Sequence, residues 1–117
     1  MWLAQFWYDH IDYKSITDLS QFKNETIDLI YASHVIEYFD RKEVVPLIEE
    51  WHRVLKKGGI LRVAVPNFAM MAHLYTTGAF LLDNFIGPLY GRMSMGNDTI
   101  YHKHVYDFKS LETLLIS

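Results

Sequence analysis

The sequence predicts an α/β domain organised around one parallel crossover unit. Three observations carry this: an apolar run at 27–35 (IDLIYASHV), an amphipathic stretch behind it, and a second apolar run at 60–65 (ILRVAV) after a double glycine. Strand, helix and strand at this spacing form one crossover. Ser33, His34 and Glu37 fall where the first strand stops, which is where open α/β sheets keep their ligands.

Each element has its own warrant. The run 27–35 is rich in branched residues, the pattern of a strand buried on both faces. Asp40, with Glu43 three residues later, makes an N-terminal capping box. Val44, Leu47, Ile48, Trp51, Val54 and Leu55 then recur at three- and four-residue steps as a single apolar helical stripe. Glu49 and Arg53 form an i,i+4 pair on the wet side, and Pro46 falls in the first turns, where proline does least damage. Lys56 and Lys57 suit the helix C-terminus, with Gly58 as the left-handed stop. A strand over 60–65 closes at Pro66-Asn67. A short helix over 68–76 ends at Gly78, and the glycines and proline of 79–101 predict a long irregular excursion. Residues 101–106 read as a short extended piece. Asp107 caps a last helix with Leu111, Leu114 and Leu115 facing inward. Ahead of the crossover, Trp2, Leu3, Phe6, Trp7 and Tyr8 suit a strand, and Ile16 to Leu19 a second short one. The chain is organised as one domain: N-terminal strands at 1–25, the crossover at 26–67, a variable helix and loop region at 68–106, and a final helix at 107–117.

The totals narrow the function classes. With 117 residues, half of them apolar, the chain has enough for a single core. A net charge of −3 argues against a nucleic-acid binder, which carries a basic face. The absence of cysteine excludes disulfide scaffolds and thiolate metal sites. No apolar run approaches a membrane span and the N-terminus lacks a signal pattern, so a soluble, cytoplasmic protein without membrane or nucleic-acid partners is expected. His73, His102 and His104 match no zinc spacing, so no metal site is assigned, and the two later histidines are given a surface or lid role.

Segments 28–39 (DLIYASHVIEYF), 50–59 (EWHRVLKKGG) and 61–67 (LRVAVPN), and more weakly 101–108 (YHKHVYDF), together resemble the class I S-adenosylmethionine-dependent methyltransferases. The likeness is to the small bacterial group that reads "ASHVLEH" at its fourth strand and "EWxRVLKPGG" before its fifth. The resemblance implies a Rossmann-like α/β methyltransferase sheet and S-adenosylmethionine as cofactor. It implies that Asp18, with Leu19, meets the adenine amino group, an N–H donor that a carboxylate accepts well. Ala32, Ser33 and His34 would line the cofactor and its methyl group, and either Asp9 or Asp12 would grip the ribose hydroxyls. The family's glycine-rich turn after its first strand is not present, nor are its closing antiparallel strands, so the expected sheet is partial, as in a domain truncated at both ends.

Two residues carry the catalytic expectation. His34 is the candidate general base, needed where the methyl acceptor must lose a proton, and Glu37 is its candidate partner. Structural alternatives stand beside each. His34 could bond a neighbouring loop, Glu37 could cap the following turn, and Asp18 could start a turn of its own. The functional expectation is methyl transfer to a small acceptor. One alternative is a non-catalytic methyltransferase-like remnant acting as an oligomerising module, and another is a different Rossmann-type binder, such as a nucleotide-sugar enzyme. The open edge of the 27–35 strand has to be covered, either by the aromatic stretch Trp2–Tyr8 folding into that slot or by a second copy of the chain, and a homodimer or swapped assembly is predicted.

Overall fold

The computed structural model describes residues 18–116. The expectations for the aromatic strand at 2–8, for Asp9 and Asp12, and for Ile16 and Thr17 lie outside the described residues.

Strand β1 (Ile27–Ser33) pairs in parallel with β2 (Leu55–Ala64), and helix α1 (Val44–Val54) makes the crossover between them. The fold is α/β and Rossmann-like. Helix α1 buries the Val44, Leu47, Trp51 and Val54 face on Ile30 and Ala32 of β1, with Leu19, Ile36, Phe39 and Tyr106 completing the core. Trp51 and Val54 lose all solvent contact there. The capping box is present: the Glu43 N–H reaches Asp40 Oδ1 at 2.9 Å and the Asp40 N–H reaches Glu43 Oε1 at 3.0 Å. Pro46 is the third residue of α1, where its missing N–H would have had no partner within the helix.

Four details differ from expectation. β1 is covered by the helix on one face only; on the other, Leu29 and Ser33 are half-buried and Tyr31 is exposed. Arg53 pairs with Glu50, three residues back, and not with Glu49. Its guanidinium is further held by the carbonyls of Leu19 and Phe22, each at 3.0 Å, and these fix its direction. Gly58 does not stop the helix, because α1 ends at Val54 with Leu55 already extended. Instead, Gly58 at φ +77° lies in a bulge of β2: the partners advance from Ile27 to Leu29 on one strand and from Leu55 to Ile60 on the other. Lys56 in that bulge meets Asp28 at 2.9 Å and holds the Asp28 carboxyl below its ordinary range.

Helix α2 (Phe68–Thr76) starts on Asn67, whose side chain accepts from the Ala69 and Met70 N–H groups, and it is followed by Gly78 at φ +77°. Beyond it the expected irregular excursion has structure of its own. A 3-10 turn at Leu82–Asn84 leads into a short helix α3 (Ile86–Tyr90) and a hairpin of β3 (Met93–Met95) with β4 (Asp98–Ile100). Gly91 ends α3 in the left-handed region. The 101–106 segment runs extended to Tyr106, which bridges Asn67, and helix α4 (Phe108–Ile116) follows. Leu111 and Leu114 of α4 pack against the core, whereas Leu115 is exposed. Among the described residues no helix is long and apolar enough to cross a membrane.

Candidate active site

The site forms where β1 stops. The His34 N–H still bonds across the sheet to the Ala64 carbonyl at 2.8 Å, but His34 itself turns into the left-handed region at φ +56°. That reversal feeds the chain into a 3-10 turn, Ile36–Tyr38, and brings Glu37 back to the histidine. His34 Nδ1 lies 3.2 Å from Glu37 Oε2. The imidazole is largely exposed, with 61% of its side-chain surface open, whereas the Glu37 carboxylate is 1% exposed. A carboxylate oxygen accepts, so Nδ1 donates and Nε2 is left as the outward acceptor.

A second wall comes from the segment after the hairpin. The Lys103 and His104 N–H groups both point at the Glu37 carbonyl, at 2.7 and 3.3 Å. This wall places His102 Nε2 at 4.0 Å from Glu37 Oε2, with the His102 side chain only 6% exposed. His102 Nδ1 is 3.2 Å from the Leu89 carbonyl; that oxygen can only accept, so Nδ1 carries hydrogen there as well. The Tyr38 ring stands edge-on to His102 with centroids 4.7 Å apart, and its hydroxyl donates to the Gly91 carbonyl at 2.6 Å. Burial, then the negative charge of Glu37, raises both phenols above their ordinary range, Tyr106 to about 12. Glu37 Oε1 and the Tyr106 hydroxyl are both buried without a hydrogen-bond partner among the described residues.

His34, Glu37 and Ser33 therefore come together at one strand end. Leu19 and Ala32 sit inside the core, fully buried. Leu19 is tied to Arg53 in the last turn of α1, at the end of the unit where β1 begins, and β1 itself spans roughly 20 Å. Asp18, one residue from that anchor, is exposed and accepts the Ser20 N–H at 3.0 Å; hydrogen bonding from the Ser20 hydroxyl and then from its N–H holds the carboxyl below its ordinary range. The structure does not bring Asp18 and Leu19 to the end occupied by His34. His102 is buried against Glu37, not placed on the surface or a lid, and with Tyr38 and Tyr106 it is the part of the site that sequence reasoning missed. The available signal was the alternation Tyr101-His102-Lys103-His104-Val105-Tyr106, which sends every second side chain to one side. Among the described residues, no three His, Asp or Glu side chains gather into a metal-binding group.

The chemistry of the strand end suits a methyl-donor cofactor there. Ser33 is half-buried and offers a hydroxyl, and His34 presents an exposed ring beside it.

Residues 6–63 match the family model described as a methyltransferase domain. No curated protein matches the chain in sequence. Among solved structures, the "PH0226 protein from Pyrococcus horikoshii OT3" is similar at 15% identity with a TM-score of 0.52, over 97% of this chain and 57% of that one. That likeness is one of fold, and this chain spans little more than half the length of that protein. With the strand-end site and the matched segment together, residues 6–63 are similar to a methyltransferase domain, and the fold is of the same kind as that solved structure.

Proposed function

We propose that the chain is a methyltransferase of a small acceptor, with His34 as the base that takes the acceptor's proton and Glu37 as the residue that orients it. The observation that carries this is the 3.2 Å contact between His34 Nδ1 and the buried Glu37 Oε2 at the end of β1. S-adenosylmethionine, when bound, supplies an electrophilic methyl group. What the protein must add is position, exclusion of water, and a place for a proton where the acceptor has one to lose. Glu37 fixes the tautomer, so the basic nitrogen of His34 is Nε2, the one facing outward. Ser33 and His34 are the residues that would hold the cofactor at this end, with Ala32 as buried backing. Isothermal calorimetry with S-adenosylmethionine and S-adenosylhomocysteine tests the reading; no heat of binding at millimolar ligand sinks it.

A further inference from the structure

The polar groups left over at the site define a second half of it. Glu37 Oε2 is engaged by His34, but Oε1 of the same carboxylate is buried and unpartnered among the described residues, and so is the Tyr106 hydroxyl. Both residues line one small cavity with Pro66, Met71, Pro88 and His102 as its walls. Its volume is about 10 Å³, the space of one water-sized group. A buried carboxylate oxygen without a partner is costly, and a cation with N–H donors offsets that cost best. The phenol, kept neutral by a pKa raised to about 12, offers a second acceptor.

His104 and Val105 line this cavity and also an open groove beside it, bordered by Asp40, Arg41, Lys42 and Lys103. Asp40 accepts the Lys42 and Glu43 N–H groups and keeps its negative charge, and Lys103 pairs with Glu43 at 3.2 Å, so Arg41 and Lys42 are the remaining exposed cations of the groove. We infer that this pair of spaces is a binding site for a small amine with an anionic far end. The ammonium head lies between Glu37 Oε1 and Tyr106, and a carboxylate or phosphate lies toward Arg41 and Lys42. This goes beyond the functional reading, because the amine is bound at this site whether or not the chain transfers methyl groups.

The test needs no cofactor. The whole chain is titrated by calorimetry with a series of ω-amino carboxylates from β-alanine to 6-aminohexanoate, with butylamine and with butyrate. One or more members of the series should bind saturably at about millimolar Kd, the range for a ligand of few atoms. Butyrate should bind at least tenfold more weakly, with butylamine between them. Glu37→Gln should weaken the best ligand more than tenfold and Tyr106→Phe three- to tenfold. If Glu37→Gln does not fold by circular dichroism, Tyr106→Phe decides, and a change under twofold overturns the proposal. Butyrate binding as well as the amino acids, or no member of the series binding, overturns it too. Because the titrations omit S-adenosylmethionine, their failure leaves the methyltransferase reading standing. A failure of cofactor binding likewise leaves the amine site standing.

Discussion

The backbone N–H of Lys103 reaches the carbonyl of Glu37 at 2.7 Å, joining the segment after the hairpin to the turn after β1. These two residues are far apart in the chain, and their bond makes the candidate site a product of tertiary structure. It holds His102 and Tyr106 against the carboxylate that orients His34.

Gly91 is the tightest point. A Cβ built there would lie 2.0 Å from His102 Nε2, and φ is +54°. Gly91→Ala should therefore lower stability by about 1–3 kcal/mol, through backbone strain and the displaced ring. In chemical denaturation, Gly91→Ala combined with His102→Ala should cost less than the sum of the two single changes. Strict additivity would show that the ring contact is not the cause.

His34 separates stability from chemistry. At φ +56° any side chain is strained, so His34→Gly should be more stable than His34→Ala by about 1 kcal/mol. Both variants should lose methyl transfer alike if Nε2 takes the proton. Thermal melts and product formation by mass spectrometry read the two effects, and an active His34→Gly would remove His34 from the mechanism.

Alkaline unfolding should report Tyr106. Its folded pKa of about 12 lies above the ordinary tyrosine value near 10. The unfolded chain therefore releases this proton first, and stability is intact below about pH 10 and declines as pH climbs toward 12. Two pH units correspond to about 3 kcal/mol. Urea titrations across that window should show the decline in the native chain and a flatter curve in Tyr106→Phe.

Trp51 carries the packing of α1 on the sheet and has no exposed surface. Trp51→Ala should cost about 3–5 kcal/mol, a large part of the stability of a domain this size. Equilibrium denaturation followed by circular dichroism measures it, and a cost under about 1 kcal/mol would mean that the helix is held by something else.

The crossover was legible because its signals are local. Helical spacing from Val44 to Val54, the Asp40–Glu43 box and the apolar run from Ile27 each predict their own element. His34 and Glu37 were legible for the same reason, since two residues three apart in a turn at a strand end must lie close together. Tyr38, Gly91, His102 and Tyr106 were not, because their meeting depends on a hairpin whose glycine-rich sequence reads only as loop. The place of Asp18 in the fold was not legible either. Its position depends on the carbonyl of Leu19 being drawn to Arg53, and nothing in the spacing of the two residues announces that bond.

The bulge at Lys56–Gly59 has a bearing on how the sheet keeps its alignment. Between the Ile27–Leu55 pair and the Leu29–Ile60 pair, β2 uses three more residues than β1 does. A uniform ladder can slip by two residues and still bury the same face, but this one cannot. A two-residue slide would either carry the slack past Asp28 and break its contact with Lys56, or hold the slack in place and move the left-handed position from Gly58 to a residue with a side chain. The extra length acts as a detent, and the strand end bearing His34 is indexed to a single notch.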